Sequence, residues 1–302
     1  SNLLLVLGCS FFFGGIIGQR RKKNPTFTAM PSSSSSFKDE AATEFVNEKV
    51  QTFSAMSALV NTSMLLLSCL SFSLVTVFDS QTSVDGVSEI RSVLVPVSRI
   101  CSILIMMAYC AYIFFQLVTH REAMAEDAGP ENGNDEQEDE EPALSIGTAI
   151  AVMLLTTFLV AFSSELLVSS LEGVVEKAHI SQHFIGIILL PIVGNACEHA
   201  SAVRFAILDK PGLSIGIAVG SSTQISLFVV PFSVLVGWII DSPMDLNFGS
   251  LNTTVMSISV IVVLSVVVDG TANWLQGYLL ISGYLIIAVL YWHLPNKLPE
   301  EI

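Results

Sequence analysis

Charge is scarce in this chain: of 302 residues 13% are charged and 52% hydrophobic, whereas soluble domains carry about a quarter charged residues. That balance excludes an ordinary soluble fold and makes lipid the expected solvent. Basic residues are scarcer still, 13 Lys and Arg against 27 Asp and Glu for a net charge of −14, so no nucleic-acid partner is expected. A disulfide framework is lacking too. The five cysteines, Cys9, Cys69, Cys101, Cys110 and Cys197, are odd in number, irregularly spaced and set inside apolar runs, which suits small buried residues rather than bridges or a zinc knuckle. There is no His-Glu-x-x-His, since Glu198-His199 has no partner histidine at that spacing. This removes the intramembrane metalloprotease, and no enzymatic activity is expected. Nor does the sequence open on Met or a signal peptide. Leu3 to Ile17 is about 15 apolar residues, too short to span alone, and the basic cluster follows it where a signal would place it first. The expectation is a helix whose start precedes Ser1, in a chain truncated at its N-terminus.

Long apolar runs, by contrast, are abundant. A helix needs roughly 20 mostly apolar residues to cross about 30 Å of hydrocarbon. Beyond the first run the sequence offers seven such stretches, near 53–78, 93–118, 146–171, 183–208, 213–240, 251–268 and 275–292. The expected fold class is therefore all-α, a polytopic membrane protein of about eight transmembrane helices. Residues 19–50 carry Arg20-Arg21-Lys22-Lys23 and the serines Ser32 to Ser36, have no means of building a core, and read as a loop. Ten of the 27 acidic residues lie between Glu122 and Glu141, a block that repels itself and stays solvated. The chain thus divides into 1–118, an acidic loop at 119–145, and 146–302, whose five spans should form a compact bundle. Lys and Arg favour cytoplasmic loops, so Arg20 to Lys23 put the first loop in the cytoplasm. Alternate threading then sends Asp79 to Arg91 to the far side and returns the acidic block and Lys210 to the cytoplasm. His120, His179, His183 and His293 fall near span ends.

Inside the run 183–208 lies Pro191-Ile192-Val193-Gly194-Asn195-Ala196-Cys197-Glu198-His199-Ala200. Ionisable groups at mid-membrane are costly, so a glutamate there is neutral, paired or bound to something. Asn195 and Glu198, three apart, share a helical face, while Cys197 and His199 point in nearly opposite directions, which excludes a Cys/His clamp. An amide, a carboxylate and backbone carbonyls freed near Gly194 by Pro191 suit a hard cation such as Ca²⁺, Mg²⁺ or Mn²⁺. The next run opens with Gly216, Gly220 and Ser221-Ser222-Thr223-Gln224. Small polar residues there serve helix packing, but Gln224 is long enough to offer another carbonyl oxygen. His199, about 100° round the helix from Glu198, either influences proton coupling through its near-neutral titration or donates to a neighbouring helix. Glu165, with Ser163 and Ser164 beside it, is the nearest spare carboxylate, and a helix-end glutamate at the interface is its equal alternative. Arg204 is assigned no role.

Gly194-Asn195-Ala196-Cys197-Glu198-His199 followed by Gly220-Ser221-Ser222-Thr223-Gln224-Ile225-Ser226 resembles the second of the two signature repeats of the cation/proton exchangers, the vacuolar Ca²⁺/H⁺ antiporter family of the cation/Ca²⁺ exchanger superfamily. The resemblance extends to the acidic loop between two helical halves and to Asp269-Gly270-Thr271-Ala272-Asn273-Trp274-Leu275. It implies two inverted repeats, each giving a Gly-Asn-Ala-x-Glu whose glutamate binds the cation and exchanges it for protons. Glu198 matches the second. Ser1 to Gly8 resembles the end of the first repeat, with Ser1 in the place of Gln224, so the first glutamate would precede this chain. On that reading 1–118 ends the first repeat and adds two membrane helices. Residues 146–302 are the second repeat, five helices, within an exchanger of about eleven.

The resemblance implies metal ligation by Glu198, Asn195, Gly194, Gln224 and Ser221, and proton coupling by Glu198 and His199. The implied activity is exchange of cytosolic Ca²⁺, with Mn²⁺ and other divalent cations as alternatives, for lumenal protons at the vacuolar membrane. No cofactor is implied, Ca²⁺ and H⁺ being cargo; the other partners are the lipid bilayer and further copies of the chain in a homo-oligomer. Two readings stay open beside it: a cation channel, which also uses carboxylates and carbonyls, and a non-transporting or regulatory fragment. The chain's single motif glutamate falls short of the roughly six to eight oxygens that Ca²⁺ prefers.

Overall fold

The structure is a computed structural model that describes residues 1–17, 50–82, 87–121, 145–178 and 180–295. The basic cluster, the serine run, the acidic block and His179 lie outside the described residues. The elements are α1 (Leu7–Ile17), β1 (Gln51–Thr52), α2 (Ala55–Thr82), α3 (Val87–Phe114), α4 (Ile146–Ala178), α5 (Gln182–Phe184), α6 (Leu190–Gly194), α7 (Ala196–Ile207), α8 (Pro211–Gln224), α9 (Val230–Ile239), α10 (Ser250–Val267), β2 (Thr271–Ala272) and α11 (Trp274–His293). Among the described residues four π-helical turns are threaded between them, at Asn2–Val6, Phe115–Thr119, Ile185–Leu189 and Ile225–Val229.

Six stretches of the described residues are long and apolar enough to cross a membrane: Ala55–Gln81, Val93–Thr119, Ile146–Leu167, Pro211–Ile239, Ser250–Val267 and Trp274–His293. The pair Gln182–Gly194 and Ala196–Ile207 makes a seventh if it is one broken span, while Asn2–Ile17 is a shorter apolar helix. The protein is all-α apart from a two-strand ribbon that sequence periodicity did not announce.

Two compact units divide the chain. Unit 1 is Ser1–Gly129 with Asn195–Leu285, and unit 2 is Pro130–Gly194 with Ile286–Ile302. The expected bundle of the last five spans is therefore corrected: α7 packs on α1, α10 on α2 and α9 on α3. The reason lies in the faces. The buried stripe of α2 runs Ala58, Asn61, Thr62, Leu65, Ser68, Cys69, Phe72, Val75 and Thr76, a three-to-four-residue repeat in which small polar groups outnumber large apolar ones. The outer face shows Leu67, Leu70, Leu74 and Val77, an inside-out pattern expected where lipid is the solvent and small residues let backbones approach. Small hydroxyls on α10 answer it, Thr76 meeting Thr253 at 3.2 Å and Ser73 meeting Ser257 at 3.5 Å. The apolar core of this unit gathers Phe72, Val75, Leu94, Ile105, Leu227, Val234 and Leu246.

Unit 1 sorts its loops by end as alternate threading requires. At one end β1 pairs antiparallel with β2, Gln51 opposite Ala272 and Thr52 opposite Thr271, and Gln51 reaches Asp209 in the α7–α8 turn. At the other, Asn247 Nδ2 donates to Asp79 at 2.7 Å and the Leu246 amide donates to Ser98 Oγ at 3.2 Å. In unit 2, residues 146–167 of α4 are exposed throughout, and Phe184 meets Trp292 edge-on at 4.9 Å.

Candidate functional site

The motif helix is broken. α6 stops at Gly194 and α7 restarts at Ala196, with Asn195 between them at φ −102°, ψ 21° as the N-cap. Upstream, Pro191 explains the π-turn Ile185–Leu189: it lacks an amide hydrogen, so the preceding carbonyls lose their ordinary partner and the ladder shifts register. The same causal pair recurs at Ile225–Val229 and Pro231. Both breaks flank the polar motifs, where π-turns tend to occur.

Asn195 at N-cap and Glu198 at N3 have the spacing of a capping box, yet Asn195 makes no side-chain cap bond. Neither side chain is therefore consumed in closing the helix. Glu198 is half-buried in the first turn of α7, where the helix N-terminus favours negative charge. Among the described residues no hydrogen bond or ion pair holds its carboxylate. The backbone carbonyl of Asn195 is taken twice, by the His199 amide at 2.9 Å and by His199 Nδ1 at 2.7 Å. A carbonyl can only accept, so Nδ1 carries the hydrogen in this arrangement, while Nε2 is buried and has no hydrogen-bond partner among the described residues. The imidazole thus serves its own helix rather than a neighbouring one.

α7 turns at Leu208–Lys210 into α8, and the two helices pack against each other. Glu198 stands nine residues before the end of α7 and Ser221 ten after the start of α8, so both sit about 14 Å from the turn at about 1.5 Å per residue. Ser221 is half-buried and accepts a hydrogen bond from Asn2 Nδ2 at 2.7 Å. Gln224, on the last residue of α8, is exposed. Gly194, which closes α6, is exposed and belongs to unit 2, and the exposed Ser163, Ser164 and Glu165 on α4 belong to that unit too. Cys197 is exposed. Among the described residues no group of three or more His, Cys, Asp or Glu could hold a metal ion.

The residue that sequence reasoning passed over is Asn2. It is only 6% exposed, starts the π-turn Asn2–Val6, and keeps its Oδ1 buried with no partner while its Nδ2 holds Ser221. That turn packs on both α7 and α8. The available signal was a polar amide opening an otherwise apolar run.

Comparison with known proteins fits this arrangement. The sodium/calcium exchanger protein family matches residues 148–292. The chain is 38% identical over 296 residues to vacuolar cation/proton exchanger 3 of Oryza sativa subsp. japonica, covering 97% of this chain and 63% of that protein. It is 36% identical over 305 residues to vacuolar cation/proton exchanger 1 of Arabidopsis thaliana, covering 100% of this chain and 59% of that protein. The chain therefore spans less than two thirds of the length of these relatives. Among solved structures, native YfkE superposes with a TM-score of 0.69 at 28% identity, over 97% of this chain and 72% of that one. A selenium-substituted form, described as the Ca²⁺/H⁺ antiporter protein YfkE, gives 0.64 at 26%, over 97% and 71%.

Proposed function

We propose, from the match of residues 148–292 to the sodium/calcium exchanger protein family, that the chain forms a glutamate-bearing part of a transporter that exchanges a divalent cation for protons across a membrane. Ca²⁺ is the favoured cargo, moving out of the cytosol against lumenal protons at the vacuolar membrane. The observation that carries this reading is the broken helix at Asn195: it delivers a half-buried carboxylate and an uncommitted amide to a span interior without spending either on the cap. Ca²⁺ takes oxygen ligands in flexible geometry, and carboxylate, amide and hydroxyl oxygens from Glu198, Asn195 and Ser221 fit that preference, with Gln224 offering a further carbonyl. The vacuolar relatives and the antiporter neighbour carry cation and proton exchange in their names.

Exchange requires one group that holds either cargo. Glu198 bound to a 2+ ion is ionised; protonated, it releases the ion, so a single carboxylate couples the two fluxes. His199, whose Nε2 has no hydrogen-bond partner among the described residues, is placed one residue away to take or pass that proton. The test is ΔpH-driven Ca²⁺ uptake into vesicles carrying the full-length gene product. Glu198→Gln should insert normally and lose uptake entirely, since an amide neither offsets the cation's charge nor returns a proton. Asn195→Ala should be impaired but active. Wild-type uptake by Glu198→Gln at equal protein would move the cation path elsewhere, and uptake indifferent to ΔpH would mark a channel.

A further inference from the structure

The end of α7 remote from Glu198 is held in an unusual way. Asp209 takes a left-handed backbone at φ 60°, its amide donates to Ala206 O at 3.2 Å, and the Lys210 amide donates to Phe205 O at 2.9 Å. This is a Schellman closure with aspartate where glycine is usual. Onto it reaches Gln51 from the strap Val50–Ser54, donating from Nε2 to Ala206 O at 2.8 Å and to Asp209 Oδ1 at 3.0 Å. Gln51 is 8% exposed, its backbone is pinned by pairing with Ala272, and its Oε1 is buried without a hydrogen-bond partner. That oxygen lies against Gly14 of α1, where an added Cβ would come within 2.5 Å of it. One amide therefore ties together the strap, α1 and the C-terminal end of the glutamate helix.

α7 is 12 residues of uninterrupted helix, so it shifts or rotates as a rigid rod, and Glu198 moves with Ala206. We propose that Gln51 is a positioning residue for Glu198: by latching the Schellman end of α7, it fixes the height and rotation at which the carboxylate meets the cation. The proposal rests on the reading of Glu198 as the cation ligand. It reaches that residue through a helix and a strap distant in sequence, and involves no contact between Gln51 and the cargo. Losing the latch raises the concentration of cation needed for half-maximal uptake and leaves maximal uptake per transporter nearly unchanged. The chemistry of the contact ranks the substitutions. Gln51→Ala deletes both hydrogen bonds. Gln51→Glu sets a carboxylate against Asp209. Gln51→Lys retains a donor for both the carbonyl and the carboxylate, with a charge suited to a helix C-terminus.

The experiment reads two quantities in vesicles carrying the full-length gene product: the KM and Vmax of ΔpH-driven Ca²⁺ uptake, and the rate at which a maleimide labels Cys197, exposed beside Glu198, with the other cysteines replaced by alanine. Gln51→Ala should raise KM by about threefold to tenfold, the range one or two net hydrogen bonds supply, and change Cys197 labelling by a similar factor. Gln51→Glu should do more, and Gln51→Lys should return both readouts towards wild type. A fall in Vmax matching a loss of protein, at unchanged KM, overturns the proposal, as does a Gln51→Lys variant as impaired as Gln51→Ala. A KM shift with constant Cys197 labelling overturns it too. Altered labelling with KM unmoved upholds the latch on α7 and instead sinks the assignment of Glu198 as ligand, which Glu198→Gln tests separately.

Discussion

Asn2–Ile17 and Ile225–Ile239 are the two stretches that the resemblance to inverted repeats equates, Ser1 standing for Gln224. Laid on that register they share Leu4 with Leu227, Val6 with Val229, Ser10 with Ser233, Gly14 with Gly237 and Ile16 with Ile239. The local geometry repeats as well. Each begins with a five-residue π-turn, and in each the serine returns its hydroxyl to the valine carbonyl four residues back, at 2.8 Å for Ser10 and 2.9 Å for Ser233. The differences are equally regular. Two residues past its π-turn one copy has Gly8 and the other Pro231, so proline is not necessary for such a turn, and Pro96 inside the regular helix α3 shows that it is not sufficient either. Gly8 instead serves a close approach: a Cβ there would meet Ile281 at 2.9 Å and the Gly277 carbonyl at 3.1 Å. The first copy starts with the buried amide of Asn2, whereas the equivalent Ile225 is 44% exposed. One local code has thus been set into two surroundings, and only one of them brings a polar group against the signature helix α8.

The glycine pair breaks or sharpens this comparison most. At Gly237 an added Cβ would lie 2.6 Å from the Ser242 carbonyl, a backbone atom, whereas at Gly14 the nearest atom is the tip of a side chain, Gln51 Oε1. Gly237→Ala should cost about 1–3 kcal/mol, as overpacking does, read as a lowered melting temperature in detergent. Gly14→Ala should cost less, displace the Gln51 amide and reproduce the KM shift of Gln51→Ala. The double variant should add little to either, because the two act on one contact. Equal destabilisation at both glycines would show that the surroundings do not distinguish the copies.

Next in size is the polar start. Asn2→Leu leaves Ser221 Oγ without its donor and should lower Ca²⁺ uptake by about tenfold, the effect of stranding one buried polar group. Ile225→Leu at the equivalent position should stay within about twofold, as a volume-conserving swap does. Matching losses at both sites would make the two starts functionally alike. The smallest effect belongs to the serines. Ser10, fully buried, should lose about 1 kcal/mol on change to Ala, and half-buried Ser233 about half that or less, since a hydroxyl bonded to its own helix contributes little net. Thermal unfolding of the two variants side by side decides it.

Much of this protein was legible because its solvent is simple. Hydrocarbon demands continuous apolar helices, and the runs read near 53–78, 93–118, 213–240, 251–268 and 275–292 return as Ala55–Gln81, Val93–Thr119, Pro211–Ile239, Ser250–Val267 and Trp274–His293. The break at Asn195 was readable from Pro191 and Gly194, for both weaken a helix by known means. Threading was readable from charge and run length, and the pairing of β1 with β2 and of Asp79 with Asn247 agrees with it. What the sequence could not hold is pairing at long separation. Nothing near Asn2 says that it meets Ser221, 219 residues on, and nothing near Gln51 says that it latches Ala206, 155 residues on. Nor does a count of apolar residues reveal that α7 packs with α1 and α10 with α2. The sequence determined by itself the spans, the broken helix and the glutamate within it, because hydropathy and backbone chemistry act over a few neighbouring residues. Only the tertiary structure decided which faces close on each other, what Asn2 and Gln51 touch, and what a side chain at Gly8 would meet, because a contact is chosen by shape and hydrogen-bond complementarity between elements that exist only once the chain has assembled.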